Sequence, residues 1–212
     1  PPLGFVATVG AAVVISAALA GPHWLDPYRF ALDRPVQVES VAGTVLWLAS
    51  LLGHPAYFDH TFNSFNLTGS VAPPVTVVFA AIFLGGGLFI LSGPLPLRRA
   101  ALAILCLLLI TTKVFSPQYV LWVVPLVAME LGMDPIWILI CVLTTLIYPT
   151  LYYLTSLIDQ PPELTSHDYA VPFLAAIATR NLLLVAAAVS LLRYRPPAAS
   201  RPADAAPRAP GA

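Results

Sequence analysis

Three groups of residues in this chain are of the right types, at the right spacing, to do chemistry. The tightest is KVFSPQY, from Lys113 to Tyr119, which sets a cation beside Ser116, Gln118 and Tyr119 in an otherwise apolar run. An ammonium can hold a phosphate as a point charge, while hydroxyl and amide groups supply adjustable hydrogen bonds. The competing structural account is that Lys113 snorkels to a membrane interface and Tyr119 belongs to an aromatic belt. The second group is Arg180 with Asn181, near the middle of the apolar run Val171 to Leu192. An arginine in that position is costly unless paired or hydrated, so it must face the interior of a bundle. There it binds either an anionic headgroup or an internal partner, such as a carboxylate or a backbone carbonyl. The third is HWLDPYRFALDRPVQVES, from His23 to Ser40. Asp26, Asp33 and Glu39 are potential acids or bases, and Arg29 and Arg34 are potential grips for phosphate or carboxylate. Charges in such a loop also commonly pair with one another at a solvated surface. His54, His60 and His167 lack metal-ligand spacing, and no metal or cofactor site is expected.

The elements that must position these groups are apolar helices. The chain of 212 residues is 58% hydrophobic and 9% charged, against about 25% charged residues in soluble domains. Pro2 to Ala20, Pro73 to Ser92, Asp134 to Leu154 and Val171 to Leu192 each approach the roughly 20 residues needed to cross a bilayer core. Ala100 to Leu131 is longer and interrupted at Lys113 to Tyr119, so it reads as two short helices of about 13 residues meeting at a break. Non-helical backbone at membrane depth must be buried in protein or line a wet cavity. The fold expected is therefore all-α, a polytopic transmembrane bundle of about six membrane segments including the split short pair. Gln37 to Gly53 is too short to span and is expected to form an amphipathic or re-entrant helix.

Arg193 and Arg195 after the last span place the C-terminus on the cytoplasmic side, and Arg98 and Arg99 fall on the same side when the spans are counted backwards. The break at Lys113 to Tyr119 and the segment Gly21 to Val71 then face the exterior. Residues 1–195 form the membrane region, and 196–212, rich in Pro, Ala and Arg, form a disordered cytoplasmic tail. Cys106 and Cys141 fall inside apolar runs, which argues against a disulfide. Asn66-Leu67-Thr68 fits the glycosylation sequon, although the composition suits a bacterial plasma membrane better. No basic stripe supports a nucleic-acid partner.

Two stretches, DRPVQVES at Asp33 to Ser40 and KVFSPQYVLWVVPL at Lys113 to Leu126, resemble segments of bacterial GT-C glycosyltransferases, glycosyltransferase family 87 above all. The second is also similar to a segment of the mannosyltransferases that build glycolipid anchors. The resemblance implies a hexosyltransferase that moves a sugar, mannose by analogy, from a polyprenyl-phosphate donor to a lipid or glycan acceptor on the non-cytoplasmic side. It further implies that the catalytic carboxylate lies in a first exterior loop upstream of Pro1, so that the chain is the C-terminal part of a longer enzyme, inactive alone. On this basis Lys113, Arg34 and Arg180 are candidates for the donor phosphate, and Gln37, Glu39, Ser116, Gln118 and Tyr119 for orienting hydroxyls. A broken helix with a buried arginine also suits a secondary transporter, and a noncatalytic membrane assembly subunit is the third reading.

Overall fold

The computed structural model describes residues 2–153 and 171–193. The chain opens with helix α1 (Pro2–Ala20), one tight turn of helix, and α2 (Asp26–Asp33). Helix α1 is apolar on every side and almost wholly exposed, the pattern of a helix whose solvent is lipid. It stops at Gly21, whose φ of +57° is readily adopted only without a Cβ. A short strand β1 (Val36–Gln37) and helix α3 (Val41–Leu51) follow, then a hairpin of β2 (Ala56–Thr61) and β3 (Ser64–Gly69). The remaining helices are α4 (Ala72–Ser92), α5 (Leu97–Thr111), α6 (Pro117–Leu131), α7 (Pro135–Thr145) and α8 (Val171–Leu192).

Among the described residues, three stretches are long and apolar enough to cross a membrane: Val6–Asp33 through the N-terminal arm, Ala72–Ser92 and Val171–Leu192. Six were expected. The split pair is present, with α5 and α6 of 15 residues each, but neither is long enough to count as a span, and the break is narrower than expected, covering 112–116 with Gln118 and Tyr119 already in α6. The apolar run from Asp134 is a correction, because it is not one continuous helix. Helix α7 has 11 residues and gives way to a wide turn over Leu146–Leu151, where Tyr148 leaves helical geometry (φ −127°, ψ 125°) ahead of Pro149. Proline disfavours the α conformation in the residue before it.

The expectation of an all-α chain also needs correction, since the segment after α2 builds a three-stranded antiparallel sheet in the order β1-β3-β2. Strand β3 is central, with Val36 opposite Leu67 and Gln37 opposite Asn66 on one side, and Phe58 opposite Leu67 and Thr61 opposite Ser64 on the other. Phe62 and Asn63, both at positive φ (55° and 53°), close the hairpin in the geometry that matches strand twist. Phenylalanine is a poor residue there; its ring meets Phe30 of α2 edge-on at 4.9 Å, and this contact offsets part of the backbone cost. The anticipated helix between Gln37 and Gly53 is α3, but its first half is buried in protein.

Two apolar clusters hold the fold together. One joins α5, α6, α7 and the C-terminal half of α8 through Leu102, Cys106, Val123, Ile140 and Leu184. The other joins the sheet, α3 and the N-terminal half of α8 through Val38, Leu46, Phe65, Leu67 and Phe173. Helix α8 runs through both, and Arg180 and Asn181 stand between them. At the far end Arg99 ties the bundle together, donating from Nε to the Leu191 carbonyl at 3.1 Å and approaching Glu130 at 3.7 Å.

Candidate functional site

The site begins at the join between β1 and the helix break. The Gln37 N–H donates to the Lys113 carbonyl at 2.8 Å, and the Phe115 N–H donates to Gln37 Oε1 at 3.0 Å. One glutamine thus satisfies two backbone groups of the non-helical segment between α5 and α6, which burial would otherwise penalise. Proline at the first turn of α6 suits the start of the new helix, because the N–H it lacks would be unpaired there and its φ is preset.

Behind this join the backbone is pinned from α8. Ser40 caps α3, accepting from the Gly43 N–H at 2.9 Å and donating to the Gln37 carbonyl at 2.7 Å. Arg180 Nη2 donates to the Glu39 carbonyl. Asn181 Nδ2 donates to the Ser40 carbonyl at 3.0 Å and to Thr44 Oγ1 at 2.8 Å. The Arg180 guanidinium also lies 3.8 Å above the Phe115 ring, a cation–π contact that partly compensates for its complete burial. Of the roles open to this arginine, the structure realises the contact to a backbone carbonyl. Its Nε and Nη1 have no partner among the described residues.

In front of the join is a cavity of about 560 Å³. Arg34, Gln37 and Glu39 line it from the first stretch, and Ser116, Gln118 and Tyr119 line it from the second. Six of the eight residues to which the resemblance gave roles therefore share one hollow, although about 80 positions separate the two stretches. Lys113 and Arg180 do not line it. Lys113 donates from Nζ to the Leu32 carbonyl at 2.6 Å and lines a second, neighbouring hollow of about 450 Å³ against α4. Arg34 lines both hollows, and its Nη2 donates to Ser64 Oγ at 3.0 Å. Burial lowers the Lys113 ammonium from its ordinary value, against an opposing pull from Asp33.

Among the described residues, the Glu39 carboxyl is the most perturbed carboxylic acid. It is 1% exposed, and burial pushes it up to about 7 while the Arg180 charge works in the opposite direction. Asp26 pairs locally with His23 at 2.8 Å and Arg29 at 3.7 Å, the self-pairing of a surface charge group. Asn66 of the sequon is fully buried, donating to the Thr61 carbonyl at 2.8 Å and accepting from Ser64 Oγ at 3.0 Å, so its amide serves the sheet.

Several lining residues were not singled out from the sequence: Asn63 and Ser64 from the hairpin, and Cys141, Thr144, Tyr148 and Tyr152 from α7 and the turn beyond it. The hairpin pair had no signal without the sheet. Tyr152 was legible only as an aromatic in an apolar run, yet its hydroxyl accepts from the Phe65 N–H at 2.8 Å, tying the last described turn to β3. Among the described residues no group of three His, Cys, Asp or Glu is placed to hold a metal. The expected tail at 196–212, Arg195 and His167 lie outside the described residues.

The chain was compared with protein-family models, with curated proteins and with solved structures, and matches none of them.

Proposed function

We propose that the chain is the donor-binding part of a GT-C type membrane hexosyltransferase, transferring a sugar such as mannose from polyprenyl phosphate to a lipid or glycan acceptor on the non-cytoplasmic face of a bacterial plasma membrane. The observation that carries this reading is the shared cavity. The two stretches that resemble GT-C segments, far apart in sequence, supply Arg34, Gln37, Glu39, Ser116, Gln118 and Tyr119 to one hollow.

The chemistry asks for two environments. A sugar on polyprenyl phosphate departs from a phosphate, so cations and donors are needed where negative charge grows as the bond from the sugar carbon to the phosphate oxygen breaks. Arg34 stands between the polar cavity and the second hollow, where Lys113 contributes its charge and exposed apolar residues of α4 such as Val77 offer a surface for a hydrocarbon chain. In this reading the sugar hydroxyls lie among Gln37, Ser116, Gln118 and Tyr119, and the phosphate lies toward Arg34 and Lys113. Arg180 acts from behind by holding the Glu39 backbone. No catalytic base is assigned among these residues. The six-segment arrangement, with α5, α6 and α7 as short membrane segments and the C-terminus in the cytoplasm, belongs to the same proposal.

Transfer from polyprenyl-phosphate mannose, measured in proteoliposomes with the complete reading frame, tests it. Lys113→Ala is expected to lower transfer by about a hundredfold, the scale of losing one donor to developing charge, and Gln118→Ala by about tenfold, the scale of losing one hydrogen bond to a sugar hydroxyl. Gln118 is exposed, so its loss should not disturb the fold. Unchanged transfer in both variants removes the proposed site.

A further inference from the structure

Glu39 and Arg180 adjoin, yet they do not join through their charges. The guanidinium donates to the Glu39 backbone carbonyl and stacks on Phe115. Glu39 Oε2 is buried with no hydrogen-bond partner, and among the described residues no cation forms an ion pair with this carboxyl. A buried carboxylate without a partner is strongly disfavoured, and this one faces the cavity. Whatever enters the cavity therefore meets a group that can be either neutral or negative, set against fixed positive charge.

We propose that Glu39 makes the cavity a proton-linked anion site: with its carboxyl protonated the cavity accepts a singly charged phosphodiester, and ionisation of the carboxyl weakens that binding. The proposal rests on the preceding reading only for the identity of the ligand. The groups facing Glu39 are Arg180 from α8, Arg34 from the segment after α2 and Tyr152 from the turn beyond α7. The two arginines keep their charge across the neutral range, and the phenol stays neutral there. Glu39 is the member of this set that changes charge near neutrality, since burial lifts it to about 7. Linkage makes the effect reciprocal. An anion that binds better to the protonated form draws a proton onto Glu39 as it binds. The matching ligand is a phosphodiester, whose single charge does not itself titrate in this range, whereas a phosphate monoester does.

Cys141 lines the same cavity and is half-buried, while Cys106 is fully buried in the apolar core. It offers a probe of cavity charge that needs no knowledge of the ligand. In the full chain, Cys141 is modified in parallel with an anionic (sulfonatoethyl) and a cationic (trimethylammonioethyl) methanethiosulfonate. The ratio of the two rates cancels ionisation of the thiol itself. Between about pH 6 and about pH 8.5 the anionic-to-cationic ratio is expected to fall by at least about fivefold, from a unit charge acting over several ångströms. In Glu39→Gln it should stay flat at the high value. A flat ratio in the unsubstituted chain, or an equal fall in Glu39→Gln, overturns the proposal. The second measurement is the affinity for polyprenyl-phosphoryl mannose, a phosphodiester, over the same pH range, expected to weaken about fivefold in the unsubstituted chain and to be level in Glu39→Gln. Binding that does not vary with pH overturns the proton link and leaves the glycosyltransferase reading standing. A Cys141 ratio that behaves as expected, with no donor binding at any pH, supports the link and overturns that reading.

Discussion

Gly43 stands where α3 turns back over β1, and a side chain there has nowhere to go. A Cβ built on Gly43 would lie 2.6 Å from the carbonyl oxygens of both Gln37 and Val38, about 0.4 Å inside the 3.0 Å that real Cβ contacts respect. Both obstacles are backbone atoms, so no rotamer change relieves the clash and the β1–α3 junction must open. Overpacking of this kind costs about 1–3 kcal/mol. Opening also strains the Ser40 cap and the two bonds from Gln37 to the helix break, each of which contributes about 1 kcal/mol. We expect Gly43→Ala to cost on the order of 3 kcal/mol, lowering the melting temperature in detergent by about 6–12 °C for a chain of this size. The cavity should be disturbed as well, so the rate of Cys141 modification should change even below the melting transition. Gly85→Ala in α4 is the control. Its Cβ would meet nothing within 4 Å, and removing a helical glycine favours the helix by up to about 1 kcal/mol. If Gly43→Ala melts with the unsubstituted chain, the proposed rigid junction between sheet and helix break is wrong.

Two further outcomes follow from the same geometry. The Glu39 carboxyl moves from an ordinary value of 4.5 to about 7 on folding, so the unfolded chain releases its proton first as pH rises. The unsubstituted chain should lose stability between about pH 4.5 and about pH 7 by on the order of 3 kcal/mol relative to Glu39→Gln, and no more above that window; parallel melting curves for the two proteins would contradict this. Because Asn66 is fully buried, the sequon should remain unmodified when the chain is made in eukaryotic cells. A glycosidase-sensitive shift in gel mobility would contradict that placement.

The long helices were legible because crossing a membrane imposes a simple length and composition rule, and a break after Thr111 was legible because polar residues and Pro117 interrupt the apolar run, although it covers only 112–116. The inward position of Arg180 followed from the cost of its charge. The sheet was not legible by that rule. Its signals, Phe58 and His60 alternating with Tyr57 and Asp59, and Phe65 and Leu67 around Asn66, span only six residues each and sit in a segment defined mainly by its lack of a span. The interruption at Tyr148 was missed because an apolar run with one proline beyond its first turn, Pro149, reads as a continuous helix until its backbone is seen. The separation of Lys113 from Gln118 and Tyr119 into adjoining hollows also depends on the sheet, since Val36 of β1 and Leu67 and Thr68 of β3 line the hollow that holds the lysine. What spacing did supply was the list of polar groups that an apolar chain had reason to keep together.

Gln37 grips the segment between α5 and α6 at two points, Lys113 and Phe115, through its backbone and its side chain. A single attachment would act as a pivot, about which the strand swings while the helix break stays still. Two attachments transmit torque. Tilting the hairpin therefore twists the floor of the cavity, and anything that pushes on Phe62 at the hairpin tip works the long arm of a lever whose short arm is the bend between two helices.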